Sequence, residues 1–372
     1  MLAGQVQGAY ESLRDRAESG EGHGSRVKKL LVALSSIVLT LFCAEFVFRI
    51  TLGPVDAVNV PRLEAPLAGP SQIPGLRKTL RPNASVTQYF PSNPRGYFDA
   101  DATLTYRTNS HGFRGEETTR AKPPGVFRIV GMGDSFTFGR GVRRSDTFLN
   151  DLERRLSSST SDRTFEVLNF GVTGYDTEDE VKLLEHFAAS FEPDVVVICF
   201  FLNDTGGGRA DRMMRRTQSR VDLPFWRESS VLLDQLAWRI SQPERTRSVV
   251  DAYHAAFEED APGWVESRNA LRRARTLSRA QGFDLVMMIF PVLWDLEGPS
   301  PFIDIHRRVA AYAEEIEIPV LDLLPAFRGF EGPELWVHET NQHPNERAHA
   351  IAGNSLFEFL QSQHLIEPAD SS

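Results

Sequence analysis

Residues 194–201 read Asp-Val-Val-Val-Ile-Cys-Phe-Phe, and this run constrains the fold more than any other part of the chain. After the aspartate every residue is apolar, so neither face of an extended strand here is suited to water. Such a strand belongs in a mostly parallel sheet covered on both sides by helices. The flanking sequence has the matching rhythm. Val126, Phe127, Ile129 and Val130 form a second apolar run, which ends in Gly131-Met132-Gly133-Asp134-Ser135. Leu149, Leu152 and Leu156 predict a helix over 148–156, and a strand follows over 165–169. Thr177 stands where it would cap a helix through Val181, Leu183, Leu184 and Phe187. Further on, the pattern predicts a helix over 265–280, strands over 283–290 and 319–322, and a last helix over 346–361. Strands alternating with helices give βαβ units and a mostly parallel sheet.

The chain before residue 105 has another character. Residues 30–52 are mostly apolar and about long enough to cross a bilayer. Glu45 and Arg49 interrupt the run near one end, four apart, where they can pair at the interface. Arg26, Lys28 and Lys29 precede it, which by the positive-inside rule puts the N-terminus in the cytoplasm. Residues 1–29 then form a loose cytoplasmic tail and 30–52 an uncleaved signal anchor in the cell (inner) membrane, with the rest extracytoplasmic or periplasmic. Three other readings compete. A cleaved signal peptide wants small residues before the cut, and none follows the run. A lipoprotein needs a small residue where Phe42 precedes Cys43. A buried core helix would accommodate the two charges. Prolines recur over residues 53–104 with poor periodicity, as in an extended tether or a wrap over a domain surface.

A formal net charge of −9 over 372 residues argues against nucleic acid as the main partner, because a phosphate-binding face needs a basic excess. Cys43 and Cys199 both lie in apolar runs, so neither a disulfide nor a cysteine metal site is expected, and the nine histidines lack ligand spacing. The expectation is no metal and no cofactor. The Gly131-x-Gly133 turn is not a dinucleotide cradle, since the next glycine is Gly139. Residues 205–262 break the rhythm, with Gly206-Gly207-Gly208, a basic run and one amphipathic helix over 231–240. An excursion leaving the end of a central strand is placed to form a lid or specificity cap; a disordered surface insertion is the alternative.

Four stretches lie where predicted strands end or the last helix begins: Gly133-Asp134-Ser135, Gly171-Val172-Thr173-Gly174, Leu202-Asn203-Asp204 and Gln342-His343-Pro344-Asn345. Strand ends of one parallel sheet converge at one edge, so the four can meet. Their chemistry is complementary. A serine is a poor nucleophile until a base takes its proton, and a histidine, here His343, is the side chain suited to that near neutral pH. The Ser135 and Gly174 amides and the Asn203 side chain are donors suited to an oxyanion. The neighbours have duller readings: Asp134 shapes the turn, Asp204 bonds nearby backbone, Asp322 is structural or a helix cap, Arg140 makes a surface salt bridge, and His338 is a weak rival base.

With these blocks in this order, the chain resembles the SGNH/GDSL hydrolase family. The blocks are Gly-Asp-Ser-Phe-Thr-Phe-Gly at 133–139, Asn-Phe-Gly-Val-Thr-Gly-Tyr at 169–175, Phe-Leu-Asn-Asp at 201–204 and His-Pro-Asn at 343–345. The stretch 109–116 and the single N-terminal apolar segment are similar to a bacterial, membrane-anchored branch. The resemblance covers about residues 105–362 and implies a nucleophilic Ser135, a catalytic His343, and oxyanion donors at Gly174 and Asn203. One departure matters. The family usually carries an aspartate two or three residues before the histidine, where this chain has Asn341 and Thr340; the nearest acid is Glu339. Glu339 as the acid, Asn341 as an uncharged orienting group, and a bare Ser-His dyad all stay open.

The expectation is therefore a three-layer α/β/α, flavodoxin-like domain over residues 105–365, with a short tail at 366–372, behind one transmembrane helix. The resemblance implies a serine esterase acting on carboxylic esters, with O-acyl groups of cell-envelope or exported glycans as substrates. An O-acyltransferase using the same site is one alternative. A carbohydrate-binding pseudoenzyme is the other, favoured by the Thr340/Asn341 departure.

Overall fold

The computed structural model describes residues 2–52, 62–160, 162–205, 230–294, 296–338 and 341–366. The chain divides into two compact units, Met1–Ala57 with Asp222–Gln242, and Val58–Val221 with Pro243–Ser372.

The first unit is built on helix α1 (Leu2–Leu52). Within it Val27–Thr51 is apolar and long enough to cross a membrane, with a mean hydropathy of 2.3. Leu30, Val32, Ile37 and Phe42 are exposed along it, which suits an apolar medium rather than water. The helix corrects the expectation of a loose tail over residues 1–29, for it already begins at Leu2. Adding a residue to an existing helix costs far less than nucleating one, so the Ala, Gln, Glu and Arg residues there extend it. Glu45 pairs with Arg49 as the spacing predicts, Arg49 Nε donating over 2.6 Å. Its carboxylate also accepts from Ser230 Oγ at 2.7 Å and from the Val231 and Leu232 amides at 3.0 Å. Glu45 thus satisfies orphan donors at the start of the helix that begins at Val231.

The second unit opens with short antiparallel strands, β1 (Arg62–Leu63), β2 (Ala68–Pro70), β3 (Lys78–Leu80), β4 (Ser85–Tyr89) and β5 (Thr103–Arg107). They pair as β1-β4-β5 and β2-β3. Leu67, Leu80, Val86, Phe90, Phe98, Leu104 and Tyr106 are buried in the main core. Of the two readings for residues 53–104, the described part is therefore a wrap and not a tether; residues 53–61 lie outside the described residues. The expected domain start at 105 falls inside β5.

The sheet that organises this unit contains β6 (Val126–Gly133), β7 (Thr164–Gly171), β8 (Val195–Phe200), β9 (Asp284–Ile289) and β10 (Val320–Asp322). All its pairings are parallel, in the order β10-β9-β8-β6-β7, which is the flavodoxin-like order. Every residue of β8 is buried, as its sequence requires. After α1, the α-helices among the described residues are α2 (Ser135–Phe138), α3 (Phe148–Ser159), α4 (Thr177–His186), α5 (Val231–Ala256), whose start belongs to the first unit, α6 (Pro262–Gln281), α7 (Ile303–Glu315), α8 (Leu324–Phe327) and α9 (Glu346–Ser362). Right-handed crossovers reverse face where the strand order reverses, which puts α3 opposite α4, α6 and α7. Accordingly α3 packs with α9, and α4 with α6. Three particulars differ from expectation. Asp176, not Thr177, caps α4, its carboxylate accepting from the Asp179 amide. Helix α5 runs on to Ala256 instead of ending at 240. Helix α7 and the hairpin β11 (Trp336–His338) with β12 (Asn341–Pro344) have no counterpart in the sequence reading. Residues 206–229 of the expected lid lie outside the described residues.

Candidate active site

Strand β6 delivers its last residues to the carboxyl edge of the sheet. Its final residue must be glycine, because a Cβ at Gly133 would run into Thr137 Oγ1. Asp134 then caps the single-turn helix α2, accepting from the Phe136 amide at 2.7 Å, and Ser135 becomes the first helical residue. The Ser135 hydroxyl lies 2.8 Å from His343 Nε2, against 3.3 Å from Asp134 Oδ2, so its hydrogen belongs to the imidazole. His343 Nδ1 in turn lies 2.5 Å from Asn341 Oδ1. An amide oxygen can only accept, so Nδ1 carries the proton and Nε2 presents its lone pair to the serine.

The hairpin explains why two residues so close in sequence meet in this way. In β12, residues two apart share a face, so Asn341 and His343 stand side by side. The hairpin is anchored by Asn345, which donates to the Glu334 and Trp336 carbonyls and caps α9 through the Arg347 and Ala348 amides. Asn345 escaped the sequence reading as a positioning residue; its place before a helical run was the available signal. The Phe136 ring lies 5.5 Å from the His343 ring and stacks on Phe201, which closes the apolar side of the pair.

The other two predicted blocks arrive at the same edge. The Val172 amide donates to the Gly133 carbonyl at 2.9 Å, which ties the Gly174 turn to the serine strand. Asn203, just past β8, donates its side-chain amide to Asp134 Oδ2 at 3.1 Å. Glu339 and Thr340 lie outside the described residues. His338 is bonded elsewhere, to Ser92 Oγ at 2.8 Å. The Asp322 carboxylate accepts from the Leu324 amide at 2.9 Å and lies 2.9 Å from His306 Nδ1, a structural role. Among the described residues no group of three or more His, Cys, Asp or Glu side chains could hold a metal.

Beneath the serine turn lie three buried carboxyls, Asp134, Glu180 and Asp204. Burial pushes Asp134 above the ordinary carboxylate range, partly offset by the Phe136 and Asn203 hydrogen bonds. Burial, and then repulsion from Asp134, push Glu180 well above its usual range; burial and then repulsion from Glu180 do the same to Asp204. Asp204 accepts from the Phe201 amide, whereas among the described residues neither carboxyl oxygen of Glu180 has a hydrogen-bond partner. A raised folded-state pKa means stability that is full below the ordinary carboxylate value and is lost as pH climbs toward the folded value. Glu180→Gln should therefore melt higher than the wild type at pH 8, by about 2–4 °C for each kcal/mol relieved, with little gain near pH 4. Thermal melting across that range checks it; parallel pH slopes for both proteins would contradict it.

Residues 132–351, more than half of the chain, match the sequence model of the GDSL-like Lipase/Acylhydrolase family. No match was found among curated proteins. Among solved structures, TesA is similar at 16% identity and a TM-score of 0.41, over 64% of this chain and 99% of its own. The acetyl xylan esterase AlAXEase is similar at 14% identity and a TM-score of 0.41, over 62% of this chain and 98% of its own. A two-domain esterase (CEX) active on acetylated mannans is similar at 13% identity and a TM-score of 0.38, over 66% of this chain; the match spans 51% of that protein.

Proposed function

Because the chain belongs to the GDSL-like lipase/acylhydrolase family, and so is an ester-hydrolysing enzyme, we propose that it works as a serine esterase centred on Ser135 and His343. In this reading Ser135 Oγ attacks the ester carbonyl while His343 Nε2 takes its proton. The Ser135 and Gly174 amides and the Asn203 side chain receive the oxyanion. An Asn203 amide hydrogen held on Asp134 fixes the group and leaves the second hydrogen for the substrate. His343 then returns the proton to the leaving alkoxide, and a water activated the same way releases the acid from the acyl-enzyme. Asn341 serves as the orienting group in place of the usual aspartate.

The observation that carries this reading is the relay from Ser135 Oγ to His343 Nε2 at 2.8 Å and from Nδ1 to Asn341 Oδ1 at 2.5 Å. As substrates we infer O-acyl esters of cell-envelope or exported glycans, with α1 as a signal anchor, its N-terminus cytoplasmic. The membrane-length stretch Val27–Thr51 supports that placement. A fluorophosphonate probe tests the centre: full-length protein should be labelled at Ser135, located by peptide mass spectrometry, and absence of label there refutes it.

A further inference from the structure

We propose that Lys78, contributed by the N-terminal wrap, is a positioning residue for the oxyanion-binding amide of Gly174; the proposal rests on the serine esterase reading. Residues 172–175 form a tight turn in which the Tyr175 amide donates to the Val172 carbonyl at 3.1 Å. Gly174 occupies its third position with φ of +77°, while Thr173 has no positive φ. That combination is a type II turn. Types I and II differ chiefly in the flip of the central peptide, here Thr173–Gly174. Its carbonyl and N–H point in opposite directions across one rigid plane. Whatever fixes the Thr173 oxygen therefore aims the Gly174 N–H.

Lys78 Nζ does this, donating to the Thr173 oxygen at 2.7 Å. The lysine is held at its other end too, since its own carbonyl accepts from the Tyr175 hydroxyl at 2.5 Å. The ammonium sits 3.3 Å from where a Cβ on Gly174 would be, so it is packed against the turn itself. Two consequences follow. A cation on the carbonyl keeps the peptide in one of its two flips, with the N–H directed away from Lys78. The charge also polarises the same amide, making its N–H a better donor when an oxyanion develops. The hydrogen bond from an N–H so aimed and polarised strengthens as charge develops on the substrate oxygen, so it favours the transition state over bound substrate.

The test uses full-length protein in detergent with a short-chain nitrophenyl ester. Loss of an oxyanion donor outright costs about 10²–10³ in kcat, so Lys78→Met, which weakens one donor, should lose about tenfold, with KM within about twofold. Affinity for an alkylboronic acid, which forms a tetrahedral adduct, should fall in step with kcat. Lys78→Arg, which keeps a cationic donor, should recover most of the loss, and Lys78→Gln, a neutral donor, should fall between. A purely packing role would instead lower the melting temperature and leave the boronate-to-substrate affinity ratio unchanged. If Lys78→Met does not fold, the Gln and Arg variants carry the comparison. Equal kcat for wild type and the neutral variant, with Ser135→Ala inactive, overturns the Lys78 inference alone. Full activity in Ser135→Ala overturns the esterase reading beneath it.

Discussion

Ser135→Ala or His343→Ala should lower kcat on short-chain nitrophenyl esters by about 10⁴- to 10⁶-fold, and the double variant should be no slower than either single one. In the proposed mechanism the two side chains, 2.8 Å apart, act as one unit. Without the hydroxyl there is no acyl-enzyme, and without the imidazole the hydroxyl stays protonated and weakly nucleophilic. Residual turnover of about 10³–10⁴ over water should survive from substrate binding and the oxyanion donors. His338→Ala is the control, because that ring is bonded to Ser92 Oγ at 2.8 Å while His343 Nε2 faces Ser135. Steady-state kinetics on the full-length variants, with melting temperatures alongside, check the prediction. Losses that simply add in the double variant would mean that Ser135 and His343 work independently, and the mechanism would need another base.

The central strands were readable because burial on both faces leaves a mark in every residue, as in Val195–Phe200. Once strands and helices alternate, a parallel sheet places all strand ends at one edge, which is why blocks far apart in sequence could be grouped in advance. The wrap was less legible. Phe90 and Phe98 stack at 3.8 Å between ring centroids in a proline-rich segment with no clear periodicity, and only their distant partners make them core. Lys78 was invisible for the same reason: its partner Thr173 is 95 residues away. The start of α1 was missed because its residues 2–29 are mostly polar, and polarity says nothing against helix when an apolar helix follows. For Asn341 the ambiguity was local. Residues 339, 340 and 341 are all near His343 in sequence, and only a strand over Asn341–Pro344 makes the residue two before it a neighbour.

Asn341→Asp should separate charge from orientation in holding His343. The amide already fixes the useful tautomer, with its oxygen 2.5 Å from Nδ1, so the loss in Asn341→Ala measures orientation, and about 10²-fold in kcat is expected. A carboxylate at that place adds charge. An opposite charge within contact raises an imidazole pKa by about 1–3 units. His343 must be neutral to act as base, so the acid limb of the pH–kcat/KM profile should move up by that amount. The variant should then be slower than the wild type near pH 5 and faster, by about tenfold, near pH 8, where a better-stabilised imidazolium lowers the barrier. An unmoved acid limb would mean that Asn341 does not govern the ring. The variant should also melt lower. Asn341 is buried and its Nδ2 has no hydrogen-bond partner among the described residues, so one new carboxylate oxygen would lack a donor there. It would join Asp134, Glu180 and Asp204, carboxyls whose ionisation burial already opposes. In the proposed mechanism an amide here aligns the histidine without adding a fourth buried acid, which gives a physical reason for asparagine at this place.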